Sequence, residues 1–244
     1  MKGKNILTFL FILTISCISF STTVDATVYG NNNGIVVSEE AYETIVNMYG
    51  QSYFDEMTQE QYSFIEELFV EGNTIEMSTY VENTNMMRNL IYQTGSKRLA
   101  IAKSCNSFKC TVVTALTWLG EPVVTSYDVI GARFNNASLA NSNILTRIQS
   151  DDGISYSDNL KQYSNGFGVS VKLPDHGTNI IVDQRFYMEP QGTVFASYQH
   201  ADEDVTLATS KKYTLSNGCY GNVFCFYGAA SDKYDQMHGV YVTL

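Results

Sequence analysis

Proline, histidine, tryptophan and positive charge are all scarce in this chain. Its 244 residues hold three prolines, three histidines, one tryptophan and 15 basic against 25 acidic side chains, for a formal net charge of −10. With so little proline and no low-complexity tract, collagen-like and polyproline architectures are excluded. The acid excess repels phosphate backbones and anionic lipid heads, so nucleic acid is not an expected partner, whereas cationic partners, neutral glycans and divalent ions stay open. Named catalytic and cofactor motifs are absent too: there is no G-x-S-x-G elbow, no H-E-x-x-H, no glycine-rich phosphate loop and no EF-hand spacing. No cofactor is implied. After the first 26 residues, no apolar run approaches the roughly 20 residues that a transmembrane helix requires.

The first 26 residues have the layout of an export signal. Lys2 and Lys4 form a positive start, Ile6 to Ile15 an apolar stretch broken by Thr8 and Thr14, and Val24-Asp25-Ala26 a small-x-small cleavage site. Leu13-Thr14-Ile15-Ser16-Cys17 half-matches a lipobox, but Thr14 stands where Leu or Val is usual, so free secretion is the expectation. Lys2, Lys4 and Asp25 would leave with the signal, taking the formal charge to −11 over the remaining 218 residues. Four cysteines would remain: Cys105, Cys110, Cys219 and Cys225. An even count in an oxidising compartment reads as two disulfides with three possible connectivities. The pairs Cys105–Cys110 and Cys219–Cys225 are favoured because each flanks a short polar or glycine-containing segment. A four-cysteine zinc site would need closer, CxxC-like spacing, so no metal is expected there.

Two regions differ in pattern. Ser38 is placed to cap a helix from Glu39 to Tyr49, with Ala41, Ile45 and Met48 on one face and Gly50 as its stop. Thr58-Gln59-Glu60-Gln61 is a capping box, opening a helix with Tyr62, Ile65, Leu68 and Phe69 as its apolar stripe. Such a hairpin buries little alone: it packs on the rest or is a leader removed later. Residues 76–95 show no period and read as connection with room for one strand or turn. From Lys97 onward, alternation takes over. Phe167, Val169, Val171 and Leu173 face one way in the cleanest strand, Ile180, Val182, Phe186 and Met188 in the next, and Val240, Val242 and Leu244 in the last. Further strands are expected at 98–104, 110–119, 123–134, 192–199, 205–215 and 222–227. Turn signals such as Glu121-Pro122, Pro174 to Gly177 and Asn217-Gly218 lie between them. The predicted fold is mainly β: an antiparallel sandwich or jelly roll over 96–244, preceded by a helical hairpin and linker over 27–95 and a signal over 1–26.

Chemistry-bearing residues are few. His176 and His238 read as turn residues. His200 ends the strand Val194–Gln199 and is followed by Ala201-Asp202-Glu203-Asp204. An imidazole beside carboxylates has the makings of a general base, and His200, Asp202 and Asp204 are the candidate ligand or ion contacts; the plainer reading is a strand end entering a water-facing acidic loop. Asp151, Asp152 and Asp158 have the oxygen chemistry of a calcium site, or of an ordinary acidic turn. Tyr127, Tyr187, Tyr198, Tyr213 and Tyr241 fall on expected strands; exposed in a row they would stack on sugars, though tyrosine is equally a common strand former. Trp118, on an apolar strand, is expected in the core. Asn136-Ala137-Ser138 matches a glycosylation sequon. The composite expectation is a secreted, non-enzymatic binding or surface-association module for a glycan, cell-wall or protein partner. The alternatives are a secreted hydrolase using carboxylates with His200, and a membrane-active toxin whose alternating strands include 205–214.

Overall fold

The computed structural model describes residues 27–82, 96–175, 178–219, 222–235 and 237–244. The expected signal with Cys17, the stretch 83–95, the turn at His176 and the side chain of Cys219 lie outside that description. The N-terminal part opens with two short strands, β1 (Val28–Gly30) and β2 (Val36–Ser38), paired antiparallel. Helices α1 (Glu39–Tyr49), α2 (Gln51–Glu56) and α3 (Gln59–Ile65) follow, the last running into a 3₁₀ turn over Glu66–Phe69. Both expected caps form. The Ser38 side chain accepts from the Ala41 N–H, and Thr58 and Gln61 exchange side-chain bonds with each other's backbone N–H.

Thirteen antiparallel strands and one short α-helix follow among the described residues. They are β3 (Ile75–Glu82), β4 (Lys97–Cys105), β5 (Cys110–Trp118), β6 (Tyr127–Asn135), β7 (Leu145–Ser150), β8 (Gly153–Ser157), β9 (Leu160–Tyr163), β10 (Gly166–Lys172), β11 (Ile181–Met188) and β12 (Thr193–Gln199). After them come α4 (Leu207–Ser210), β13 (Tyr213–Cys219), β14 (Asn222–Phe226) and β15 (Val240–Thr243). A six-stranded sheet has the order β3-β4-β5-β11-β7-β8, and a five-stranded sheet β15-β12-β6-β10-β9. The fold is therefore mainly antiparallel β, two stacked sheets with helices near the N-terminus.

Three apolar clusters explain the layering. Leu99, Val112, Leu116 and Val182 of the larger sheet meet Ile130, Val169, Val194 and Val242 of the smaller one. The larger sheet's other face carries Ala100, Ala102, Val113, Ala115 and Ile181, and Ile45, Met48, Phe54 and Leu68 of the helices cover it. The outer face of the smaller sheet, at Val129, is covered by Tyr213, Val223 and Phe224 of the β13–β14 hairpin. The order is helices, sheet, sheet, hairpin. Cys105 and Cys110 face each other across the β4–β5 hairpin and are disulfide-bonded, with Cα atoms 4.0 Å apart. Cys225 is also disulfide-bonded.

The structure adds β1, β2 and α2, which the pattern did not signal, and it differs from the pattern reading in two further places. The expected strand at 205–215 begins instead with a turn of helix. Thr206 caps α4 by accepting from the Thr209 N–H, and extended backbone resumes only at Tyr213. Between 145 and 163, three strands (β7, β8 and β9) form where none was expected. β8 and β9 are largely solvent-exposed, and β7 buries Thr146, Arg147 and Gln149, so none displays apolar alternation.

The hairpin docks over a gap in the sheet. Gly131 on β6 pairs with Gly168 on β10, and the Tyr213 ring sits on that bare patch. A Cβ on Gly168 would meet Tyr213 Cζ and Phe224 Cε1 at 2.8 Å each, together with the Tyr213 hydroxyl. Gly168→Val should therefore lower unfolding stability by about 1–3 kcal/mol. Urea denaturation followed by tyrosine fluorescence checks this, and an unchanged midpoint would contradict the docking.

Candidate functional site

Inward-facing positions on a strand alternate, and here the alternation runs past the apolar core into charge. On β4, Ile101 and Leu99 lead to Lys97; on β5, Leu116 leads to Trp118. On the facing sheet, Ile130 leads to Asp128, and Ala196 and Tyr198 lead to His200. These residues converge at one end of the sandwich. His200 Nδ1 lies 3.0 and 2.9 Å from the two Asp128 oxygens, which also take the Tyr198 hydroxyl and the Ala201 N–H at 2.9 Å. The Trp118 ring stands edge-on to the imidazole, centroids 4.8 Å apart. Burial works against the imidazolium, but the Asp128 carboxylate outweighs it and holds the His200 pKa above its ordinary value. Lys97 is fully buried, 2.9 Å from Glu82 Oε2 and in contact with Asp235 Oδ2. Asp235 Oδ1 accepts the His200 N–H at 2.8 Å.

The three sequence-predicted contacts are separated by this arrangement. His200 has no exposed surface, and its Nε2 is buried without a hydrogen-bond partner. It is an interior residue, in place of the strand end beside a water-facing loop. Asp202 is half-buried at the edge of the cluster, and its pKa is pushed up to about 6 by burial first and then by Asp235. Asp204 is exposed and accepts from the hydroxyl of the buried Ser126 at 3.1 Å. Asp151 is engaged by its own loop, accepting from Asn179 Nδ2 at 3.0 Å, the Thr178 N–H at 3.3 Å and the Thr178 hydroxyl. Among the described residues, no group of three or more His, Cys, Asp or Glu side chains is placed to hold a metal ion. The strand tyrosines form no row either. Tyr198 and Tyr213 are interior and Tyr187 lies near the helices bonded to Glu67, while Tyr241 is exposed.

Aromatic and polar side chains gather elsewhere, in a cleft of about 600 Å³ between the helical layer and the six-stranded sheet. Tyr49 and Tyr53 of the helices stack at 4.6 Å and form one wall. Gln61, Arg98, Trp118 and Asn179 also line it. A hydrogen-bonded relay runs along the floor: Gln61 Nε2 donates to Gln149 Oε1 at 3.0 Å, the Tyr53 hydroxyl donates to the same oxygen at 3.4 Å, and Gln149 Nε2 donates to Asp183 Oδ2 at 3.0 Å. Asp183 is anchored by a two-pronged Arg147 contact, Nε to Oδ1 at 3.0 Å and Nη2 to Oδ2 at 2.7 Å, both residues wholly buried. Arg147 also lies over the Phe64 ring at 3.9 Å, which ties the helical layer to this floor. Sequence reasoning missed the cleft because its walls come from helix and sheet segments far apart in the chain. The inward parity of positions 97, 118, 128 and 200 was the signal available for the charged end.

Two measurements follow. Asp183→Asn leaves the buried Arg147 cation without its counter-charge and should cost about 3–5 kcal/mol in urea unfolding. Asp202 has a folded pKa above its unfolded one, so the folded state holds the proton more tightly. Its contribution is complete below about pH 4 and is lost as pH rises through about 6. Asp202→Asn should flatten the stability profile across that window. An identical pH profile in wild type and variant would place Asp202 in water.

No family model matches this chain, and no curated protein matches it. Among solved structures, it is similar to the KRT10-binding region domain of the pneumococcal serine rich repeat protein PsrP, at 9% identity and a TM-score of 0.33, over 52% of this chain and 88% of that one. The RrgB pilus protein of Streptococcus pneumoniae matches at 9% identity and a TM-score of 0.30, over 54% of this chain and 24% of that one. The collagen binding domain of the Erysipelothrix rhusiopathiae surface protein RspB matches at 7% identity and a TM-score of 0.27, over 54% of this chain and 51% of that one. Likenesses this slight carry no argument about function.

Proposed function

We propose that the chain is an exported, extracellular binding module whose ligand site is the cleft between the helical layer and the six-stranded sheet, and that its ligand is a glycan. The cleft itself carries this reading. Its volume falls within the roughly 300–1,000 Å³ usual for small-ligand sites. Its lining pairs tyrosine rings with amide side chains, which is the chemistry a sugar demands. Ring faces take the C–H face of a pyranose, while planar amides both donate to and accept from vicinal hydroxyls. Because Gln149 is fixed by Asp183 from below, the floor is organised before any ligand arrives. The disulfide at Cys105–Cys110 supports an oxidising location outside the cytoplasm, in keeping with the signal-like leader.

The hydrolase reading is opposed by the burial of His200, which no substrate reaches in this conformation. The toxin reading loses its alternating strand at 205–214, where α4 forms. A panel of soluble oligosaccharides tested by calorimetry checks the proposal. Tyr53→Ala, with its melting temperature measured alongside, should weaken binding about tenfold or more. Tyr53→Phe keeps the ring and loses only the hydroxyl, and should weaken binding less. A wild-type chain that binds no member of the panel, or a Tyr53→Ala variant that binds as well as wild type, sinks the glycan assignment.

A further inference from the structure

The end of the sandwich poses a chemical problem that the cleft does not share. Lys97 is an ammonium with no exposed surface, placed directly across from Trp118 with its Nζ 5.4 Å from the indole centroid. Burying such an ion is costly unless it is matched closely. It meets two carboxyl groups at once: Asp235, whose side chain is 12% exposed, and Glu82, 29% exposed. One ammonium between two carboxyls is more than an ion pair requires. It is also the set of groups that amide formation requires: a nucleophile, an electrophile and a proton carrier, held together and largely out of water.

We propose that Lys97 and Asp235 are joined by an amide bond between their side chains, formed by the folded chain itself. Lys97 gives an ammonium proton to Glu82, and the freed lone pair on Nζ attacks Cγ of the protonated Asp235. An Nζ–Cγ bond forms and the Cγ–Oδ1 double bond opens onto Oδ1, the oxygen that already faces the His200 N–H at 2.8 Å. That donor stabilises the oxyanion as it develops. Nitrogen then sheds a second proton by way of Glu82 to the Oδ2 hydroxyl, which leaves as water while Oδ1 closes back to a carbonyl. An amine and a carboxylic acid become a secondary amide and one water, with no oxidant, reductant or cofactor.

Charge and position both favour this outcome. Burial first of all holds the Asp235 carboxyl above its ordinary range, which brings the neutral, electrophilic acid within reach. Burial alone would release the Lys97 proton, but Asp235 and then Glu82 hold it, so a carboxylate in contact must take it over. Glu82 Oε2, 2.9 Å from Nζ, is that carboxylate. Once the amide exists, both buried charges are gone and Glu82 is left facing a neutral group.

The mass of the full chain, reduced and denatured, decides the matter. The expected wild-type mass is one water below that of its sequence, after any leader removal has been read from the N-terminus. Proteolysis should give a branched peptide whose fragmentation joins Lys97 to Asp235. Lys97→Met and Asp235→Ala should carry the full sequence mass. Glu82→Gln keeps the other two groups and should form the bond about a hundredfold more slowly, as expected when a proton-transfer group is lost. If a variant fails to fold, the wild-type mass still stands as the test. A wild-type chain at full sequence mass overturns the proposal, as does a lost water that maps to any other pair of residues.

Discussion

Both main sheets carry apolar residues on both faces, and the rest of the molecule follows from that constraint. A two-layer sandwich would leave Ala100, Ala102, Val113, Ala115 and Ile181 in water on one side and Val129 on the other. At about 25 cal/mol per Å² of apolar surface, such faces are too costly to leave bare. The helices and the β13–β14 hairpin are therefore structural layers. Their placement then creates the cleft: α1 and α2 cover the six-stranded sheet incompletely near its Trp118 end, and the gap is lined by whatever polar groups the two layers present.

This bears on how much the sequence could reveal. Where one apolar face meets one polar face, as in β10 with Phe167, Val169 and Val171 against the core, alternation is visible and the strand is found. The capping residues Ser38 and Thr58 were equally legible, because a cap is a local bond between neighbours in sequence. β7 was hidden for the opposite reason. It buries Thr146, Arg147 and Gln149, whose partners Gln184 and Asp183 lie on a strand over 30 residues away. A buried polar residue looks like a surface one until its partner is known. His200 was misread in the same way: its neighbours in sequence are acidic and solvated, whereas its neighbours in space are Asp128, Tyr198 and Trp118. Periodicity counted on charged as well as apolar residues would have placed it inside.

Charge thus enters the interior at two separate places, with different consequences. Beneath the cleft, Arg147 and Asp183 pair in matched two-pronged geometry, and the pair holds Gln149 and Tyr49 in position, the latter's hydroxyl reaching Asp183 at 3.4 Å. That arrangement is closed and rigid. At the sandwich end, Lys97, Glu82, Asp235, Asp128 and His200 form a less balanced group, acids outnumbering bases, with His200 Nε2 left without a partner. Matched charge steadies a scaffold, whereas unmatched charge leaves groups with chemistry still to do.

The contact between Lys97 and Asp235 spans 138 positions, from the start of β4 to the approach to β15. Tension applied at the two ends of the chain would travel from the helical layer to β4, cross at this contact, and leave through β15. Nearly all of the intervening strands would sit outside the load path, like a loop of rope beyond a knot. A covalent link at that point would make the enclosed sandwich inextensible to such a pull, whatever the strength of its hydrogen bonds.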